Sequence, residues 1–454
     1  EPSSIAPKKM MIAPYWGGNP TVKAIVYNIE NAAEPKLVRE VELEGSLLTS
    51  RKVGNHIYLL SNQYLYPARP LPAQMRDTAI SEEFTPIGMD KVQYFPGGTY
   101  SSYLLIAAFD LNAIEKGSVT EAFLGAGNNV YMSEENLYIS IPKGQDETAV
   151  YRFAVDKANV EFRAKGSVPG NILNQFSMDE HKGHLRIATT SRTKENGQLN
   201  NNVYVLDGEM KTVGKVEGIA PNERIYSARF MGDKGYMVTF ELVDPLFVLD
   251  LSKPNDPKIL GALKIPGFSS YLHPLDDNHL LGIGRDTDVI ERKDASGKIL
   301  GRPFAIEKGI KLAIFDVRDL SNPIEKFSTI IGARGSQAEV LQNHKALYYE
   351  NGLLGFALNE TKPAAEPTGY GSFAFQGAVL YDVSLEKGFE QLGKITHLDN
   401  DTYLKMGQYW HGSDAEIRRI IRVSDKLYII SNRFITAHDI KTLELVRKVE
   451  LAQQ

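Results

Sequence analysis

The stretch from Arg224 to Asp316 decides the fold. It reads RIYSARFMG (224–232), KGYMVTFELV (234–243), PLFVLDLSKPNDPKIL (245–260), ALKIPG (262–267), SSYLHPL (269–275), HLLGIG (279–284) and, at its end, KLAIFDVRDLSNP (311–323). Short runs rich in β-branched and aromatic residues alternate with Gly, Asp, Asn and Pro, the pattern of successive antiparallel strands joined by turns. One unit closes when an apolar strand ends at an aspartate, as in LFVLDLS, and passes through a Pro turn into an outer strand. The pattern then restarts: AIFDVRDLSNP repeats VLDLSKPNDP almost residue for residue.

Searching outward for that closing signature gives a register of repeats. Asn28 holds the aspartate slot in AIVYNIENAAEPK. Asp110 follows in LLIAAFDLN, Asp156 in VYRFAVDKA, Asp207 in VYVLDGEM, then Asp250, Asp316, Asp382 in AVLYDVSLEKG and Asp439 in ITAHDIKTLE. A carboxylate at this point can accept from backbone amides of the turn that follows. Eight such units, most of them 43 to 66 residues apart, predict an all-β chain: a β-propeller of four-stranded antiparallel blades, eight in number, with seven as the alternative.

The expected layout is a single domain over 1–454, with 1–45 supplying outer strands of an incomplete first blade and 46–454 the remaining blades. Seven inner strand pairs serve eight closers, and only KKMMIAPYW (8–16) precedes the first of them. The missing inner strand is expected from upstream or from a separate fragment. EPSSIAP (1–7) has the Pro- and Ser-rich composition of an exposed, cleavable loop, so an upstream fragment of the same precursor is expected to dock along the first blade's edge. Three insertions, Gln63–Tyr100, Asp286–Lys308 and Asn359–Gly377, carry Pro and Gly clusters and read as surface loops. Ser81 to Phe84 reads as the start of a single helical turn.

Composition narrows the function classes. The formal net charge is -5 over 454 residues, which supplies no basic footprint for nucleic acid. No run of eighteen apolar residues is present to span a membrane as a helix. Zero cysteines exclude disulfides, thiol catalysis and thiolate metal sites, and fit an oxidising exterior.

Four stretches carry a resemblance: FLGAGNNVYMSEENLYIS, NQFSMDEHKGHLRIATT, YSARFMGDKGYMVTFELVDPLFVLDLS and IPGFSSYLHPLDDNHLLGIGRD. The chain resembles, over nearly its whole length, the family of secreted bacterial proteins with a C-terminal β-propeller domain distantly related to WD40 repeats. The resemblance implies a secreted or surface-attached protein, commonly Gram-positive, with further sequence upstream of Glu1. It implies no activity.

Candidate chemistry is scattered. His273 in SSYLHPL falls near the channel-facing edge of its strand, with Tyr271 two residues earlier on the same face. The histidine reads either as a channel ligand or base, or as a structural group bonding a neighbouring blade. Arg51 in TSRKVG and Arg229 in SARFMG hold equivalent repeat positions. They read either as an anion site or as partners for carboxylates of adjacent blades, Asp179 and Glu180 being candidates. Glu416 is a further channel candidate. Asp286 with Asp288, and Asp399 with Asp401, offer oxygens suited to calcium, though neither pair has a full calcium-loop pattern. Tyr64, Tyr66, Tyr94, Phe95, Tyr100, Tyr370, Tyr409 and Trp410 sit on expected loops, where aromatic rings stack on sugars or anchor a protein, or else fold down over blade edges. No HExxH, Walker loop or GxSxG elbow occurs.

Three function classes follow. The first is an extracellular or cell-surface binding and scaffold module for a glycan, peptide or partner protein. The second is a metal-assisted hydrolase or lyase with its site in a central channel, and the third is a structural part of a larger envelope protein. Binding leads, because a fold carries no activity by itself and no catalytic constellation emerges. No cofactor is recognised beyond the calcium option.

Overall fold

The structure is a computed structural model. It describes residues 20–452 except 66–71, 96–101, 126–128, 145, 194, 242–243, 292–293, 295, 297–298, 367 and 408, and for 244 and 404 it describes the backbone only. The chain forms two compact units, one of residues 1–143 with 149–165 and one of 144–148 with 166–454.

Eight sheets follow one another along the described residues, each built chiefly from antiparallel neighbours. The deciding stretch forms Arg224–Met231, Lys234–Phe240, Asp244–Asp250 and Lys258–Ile265, paired in that order as the fifth sheet. Phe268–Asp276, His279–Ile290, Phe304–Asp316 and Ile324–Ile331 repeat it as the sixth. The closing residues act as their positions require. Asn28, Asp110, Asp250 and Asp316 each accept, through Oδ1, the amide two residues on, at 2.8, 2.9, 2.9 and 3.1 Å. Asp207 and Asp439 do the same and also take a second amide further into the turn. This local bond starts the turn into the outer strand at six of the eight closing positions.

The core lies between consecutive sheets. In the first unit Val41, Leu43, Leu59, Leu105 and Phe109 fill the space between sheets one and two, while Leu60, Ile106, Ile139 and Phe153 fill that between two and three. In the second unit Val203, Ala228 and Leu249 join sheets four and five, and Val248, Leu272 and Phe315 join five and six. Leu312, Phe356 and Val379 then join six and seven, and Leu380, Ile420 and Ile429 join seven and eight. Strands covered on both faces need apolar residues at successive positions, as Leu104–Phe109 shows. Where one sheet passes into the next the backbone must cross closely. Gly45 (φ +102°) and Gly267 (φ +87°) stand at two such junctions, where a Cβ would sit 2.6 Å from the Asn62 carbonyl oxygen and 2.3 Å from that of Arg285. A side chain is excluded there by space as well as by φ.

Three expectations change. The insertions are not plain loops. Gln74–Asp77 and Ser81–Pro86, from the first insertion, form a hairpin that adds to Lys36–Glu44 in the first sheet, so Ser81–Phe84 is strand and not a helical turn. The second and third insertions lengthen the middle strands of sheets six and seven, as His279–Ile290 with Phe304–Asp316 and Leu353–Lys362 with Ser372–Ser384. The first sheet therefore has four strands from within this chain, where an incomplete first blade was expected, and its Thr21–Asn28 edge carries no second partner strand among the described residues. The helix Asn400–Met406 was not expected.

Candidate functional site

The leading strands of the second unit bring one cluster together. Tyr271 and His273 lie on one face of Phe268–Asp276, which bulges on either side of them, between Ser269 and Tyr271 and between Pro274 and Asp276. Pro274 is tolerated because this strand is the sheet's edge. Arg229 comes from Arg224–Met231 of the fifth sheet. Two single-turn 3-10 helices complete the cluster. Gln175–Ser177 is capped by Asn174, whose Oδ1 accepts from the Phe176 amide at 2.9 Å. His344–Ala346 is capped by Asn343, which accepts from the Lys345 amide at 3.1 Å. These caps fix the directions in which Gln175, Phe176 and His344 project.

The rings interlock. Phe176 meets His344 edge-on at 4.8 Å between centroids and Tyr271 at 5.4 Å. The Tyr271 hydroxyl lies 3.3 Å from His273 Nδ1, and His273 meets Tyr349 edge-on at 5.1 Å. The Gln175 amide nitrogen is 3.2 Å from His344 Nε2. Sheets four, five, six and seven of this unit therefore converge at their leading ends, as blades do around an axis.

Arg229 supplies the charge. Its guanidinium carbon stands 5.2 Å from the Phe176 ring centroid. Its Nε is buried and meets no hydrogen-bond acceptor among the described residues. Neighbouring sheets treat their arginines differently: Arg186 forks onto Asp179, Arg285 donates to the Ser336 carbonyl and Gln337, and Arg419 grips Glu339 at 2.7 and 2.9 Å. Burial, and then the Arg229 charge, bring the His273 imidazole down to about 4. Burial pushes the Tyr271 hydroxyl up, with Arg229 opposing. His273 is thus neutral at pH 7 and a weak general base there, but a competent hydrogen-bonding wall.

The remaining expected residues do not join this cluster. Asp179 is spent on Arg186, its register partner on the next strand of the same sheet, so it does not pair with Arg229 across blades. Glu180 pairs in register with Leu185 and so lies on the opposite face from Asp179. Arg51 lies in the first unit and donates to Thr49 Oγ1 at 2.6 Å and to the Ser50 carbonyl at 2.9 Å. Glu416 lines a separate cleft of about 310 Å³ with Gln337, Glu339, Asn359 and Gln376.

The calcium candidates have other duties. Asp286 and Asp288 hold the Lys308 ammonium at 3.5 and 3.0 Å. Asp399 caps the short helix, accepting from the Thr402 amide at 2.7 Å, and Asp401 stands exposed in its first turn. Among the described residues no three His, Asp or Glu side chains are grouped to hold a metal ion.

Tyr64, Tyr94, Tyr370 and Tyr409 are exposed, Tyr370 beneath the Arg334 guanidinium at 4.3 Å. Trp410 instead packs on Phe373 at 5.1 Å, and Phe95 is buried. Tyr66 and Tyr100 lie outside the described residues. The sequence reading missed Gln175, Phe176, His344 and Tyr349. The only signal for them was the capping pattern of NQFS and NHKA, which marks a turn and says nothing of what the turn faces.

Comparison with known proteins agrees with this architecture. The model of the beta propeller domain matches residues 2–443. The chain belongs to the β-propeller domain family. Its eight sheets are the blades of an eight-bladed propeller, six of them four-stranded and two five-stranded among the described residues, antiparallel but for one short parallel pair. Two curated relatives, both uncharacterised archaeal proteins, are 42% identical to it. One, from Archaeoglobus fulgidus, aligns over 224 residues, 49% of this chain and 31% of its own length. The other, from Methanocaldococcus jannaschii, aligns over 179 residues, 39% of this chain and 25% of its own. The chain thus spans less than a third of either relative, and neither comes from the Gram-positive bacteria implied by the resemblance. Among solved structures, the propeller domain of the Trilobed protease from Pyrococcus furiosus is 9% identical at a TM-score of 0.36, covering 90% of this chain and 97% of that one. The acylaminoacyl peptidase of Pyrococcus horikoshii is 10% identical at 0.38, covering 90% and 52%.

Proposed function

We propose that this propeller is a binding and scaffold module on the cell exterior that holds a glycan, peptide or protein partner at the Arg229–His273 cluster. The observation that carries the reading is the half-buried Arg229, whose Nε has no described acceptor and which stands against aromatic rings. Its buried Nε is closed to solvent, so an external acceptor would meet the terminal nitrogens, and a partly desolvated cation without an acidic partner gains from one. Neutral His273, with a pKa of about 4, favours recognition over proton transfer near neutral pH. The cysteine-free composition supports the exterior location. The Thr21–Asn28 edge, which carries no further strand among the described residues and has Ile25 and Tyr27 about half exposed, supports docking of a further strand by backbone pairing.

The test is recovery of the native protein under mild conditions and native mass spectrometry of what stays bound. A retained molecule or partner that is lost in Arg229→Gln is the expected result. A native preparation that carries no ligand and captures no partner refutes the binding reading.

A further inference from the structure

We infer that the Arg229 cluster takes a ligand bearing a single carboxylate on a flat or apolar body. This rests on the binding reading and names the class of ligand. The argument begins with charge. The cluster presents one guanidinium, beside a phenol, an amide and imidazole rings. The carboxylate nearest in sequence to the two turns, Asp179, is already neutralised by Arg186. His273 stays uncharged at neutral pH through burial and the Arg229 field. Arg229 is the charge a ligand meets beside Phe176, while Asp276 acts on the Tyr349 side; one negative charge matches the guanidinium, and a dianion would add an uncompensated charge.

Geometry points the same way. Phe176 stands 5.2 Å from the guanidinium carbon, and with Nε buried it is the two terminal nitrogens of Arg229 that meet a partner. That rigid fork matches the two oxygens of a carboxylate. The body of the ligand would meet rings on several sides: Phe176 and Tyr271, 5.4 Å apart, and His273 and Tyr349, 5.1 Å apart. Such walls favour a flat or apolar group over a strongly hydrated one.

The experiment uses the whole chain and three fluorinated probes of one shape, titrated by 19F NMR: 4-fluorobenzoate, 4-fluorobenzamide and 4-fluorophenyl phosphate. Benzoate is expected to bind at least about tenfold more tightly than the uncharged amide and more tightly than the phosphate ester. Arg229→Gln should lose that preference. Should Arg229→Gln fail to fold by circular dichroism, Arg229→Lys carries the test; it keeps a charge but loses the fork, and should weaken benzoate by about tenfold. Tighter binding of the phosphate ester, equal binding of the amide, or benzoate affinity unchanged by the substitutions overturns the inference. If the native protein nevertheless retains another ligand, the binding reading stands and only the carboxylate assignment falls. Absence of any ligand in both experiments overturns the two together.

Discussion

Replacing Asp77 by Asn tests how the first insertion is held. Arg39 and Asp77 are 1% and 3% exposed, among the most buried charges of the first unit. Arg39 donates to both carboxylate oxygens, at 3.0 and 2.7 Å, and with its third nitrogen to the Ile114 carbonyl at 3.1 Å. Asp77 also accepts the amides of Ala79 at 3.1 Å and Ser118 at 2.7 Å. One carboxylate thus ties the added hairpin to its parent sheet and to the connection that follows Asp110. Asparagine keeps the shape but offers one acceptor where four donors converge, and it leaves Arg39 charged and buried.

Breaking one side of a satisfied buried pair costs about 3–5 kcal/mol. For a unit of this size, each kcal/mol corresponds to about 2–4 °C in melting temperature. Urea unfolding followed by circular dichroism should show the loss, and limited proteolysis should show the hairpin opening first. The pH dependence gives a second reading. Burial raises the Asp77 carboxyl, but the Arg39 and Ser118 bonds outweigh it, so its pKa is lowered. Its contribution is therefore present above the ordinary carboxylate value and is lost as pH falls through the lowered one. Asp77→Asn should flatten that acid limb. A destabilisation below about 1 kcal/mol, as at an exposed ion pair, refutes the reasoning.

His397 is buried between the Ser431 and Thr436 hydroxyls at 2.9 and 2.8 Å, and burial, with Lys448 and His438 adding, brings it down to about 4. Because the unfolded imidazole takes its proton near 6.5, stability should be whole above that value and fall by up to about 3 kcal/mol as pH drops to 4; equal urea midpoints at pH 7 and pH 4.5 would contradict this. Gln376 bonds the backbone of Ile417 on the next sheet with both ends of its amide, at 3.1 and 3.2 Å. Gln376→Leu should cost about 2–4 kcal/mol by stranding two buried groups and speed hydrogen exchange at the Ile417 amide, and unchanged exchange would sink the assignment. Asp439 accepts two turn amides and the Lys426 ammonium, whereas Asp250 accepts one amide. Asp439→Ala should therefore destabilise more than Asp250→Ala, for which about 1 kcal/mol is expected, and the reverse order in chemical denaturation would show that the closing residues do not act through their turns.

The sequence by itself determined the blades and their order. At six of the eight closing positions an Asn or Asp side-chain oxygen bonds an amide two residues later, and such contacts lie within a few residues of chain. Tertiary structure alone decided the rest. Gln175, Phe176, Arg229, Tyr271, His273, His344 and Tyr349 meet because four sheets bring their leading ends together, and no local pattern records which ends will face. Asp179 and Arg186 found each other across a strand pair, which left Arg229 without the acid that spacing had offered it. The insertion hairpin chose the far side of Lys36–Glu44 for the same reason: strand pairing and charge pairing are settled by which surfaces come within a few ångströms, and those distances are set by the folded chain and not by separation along it.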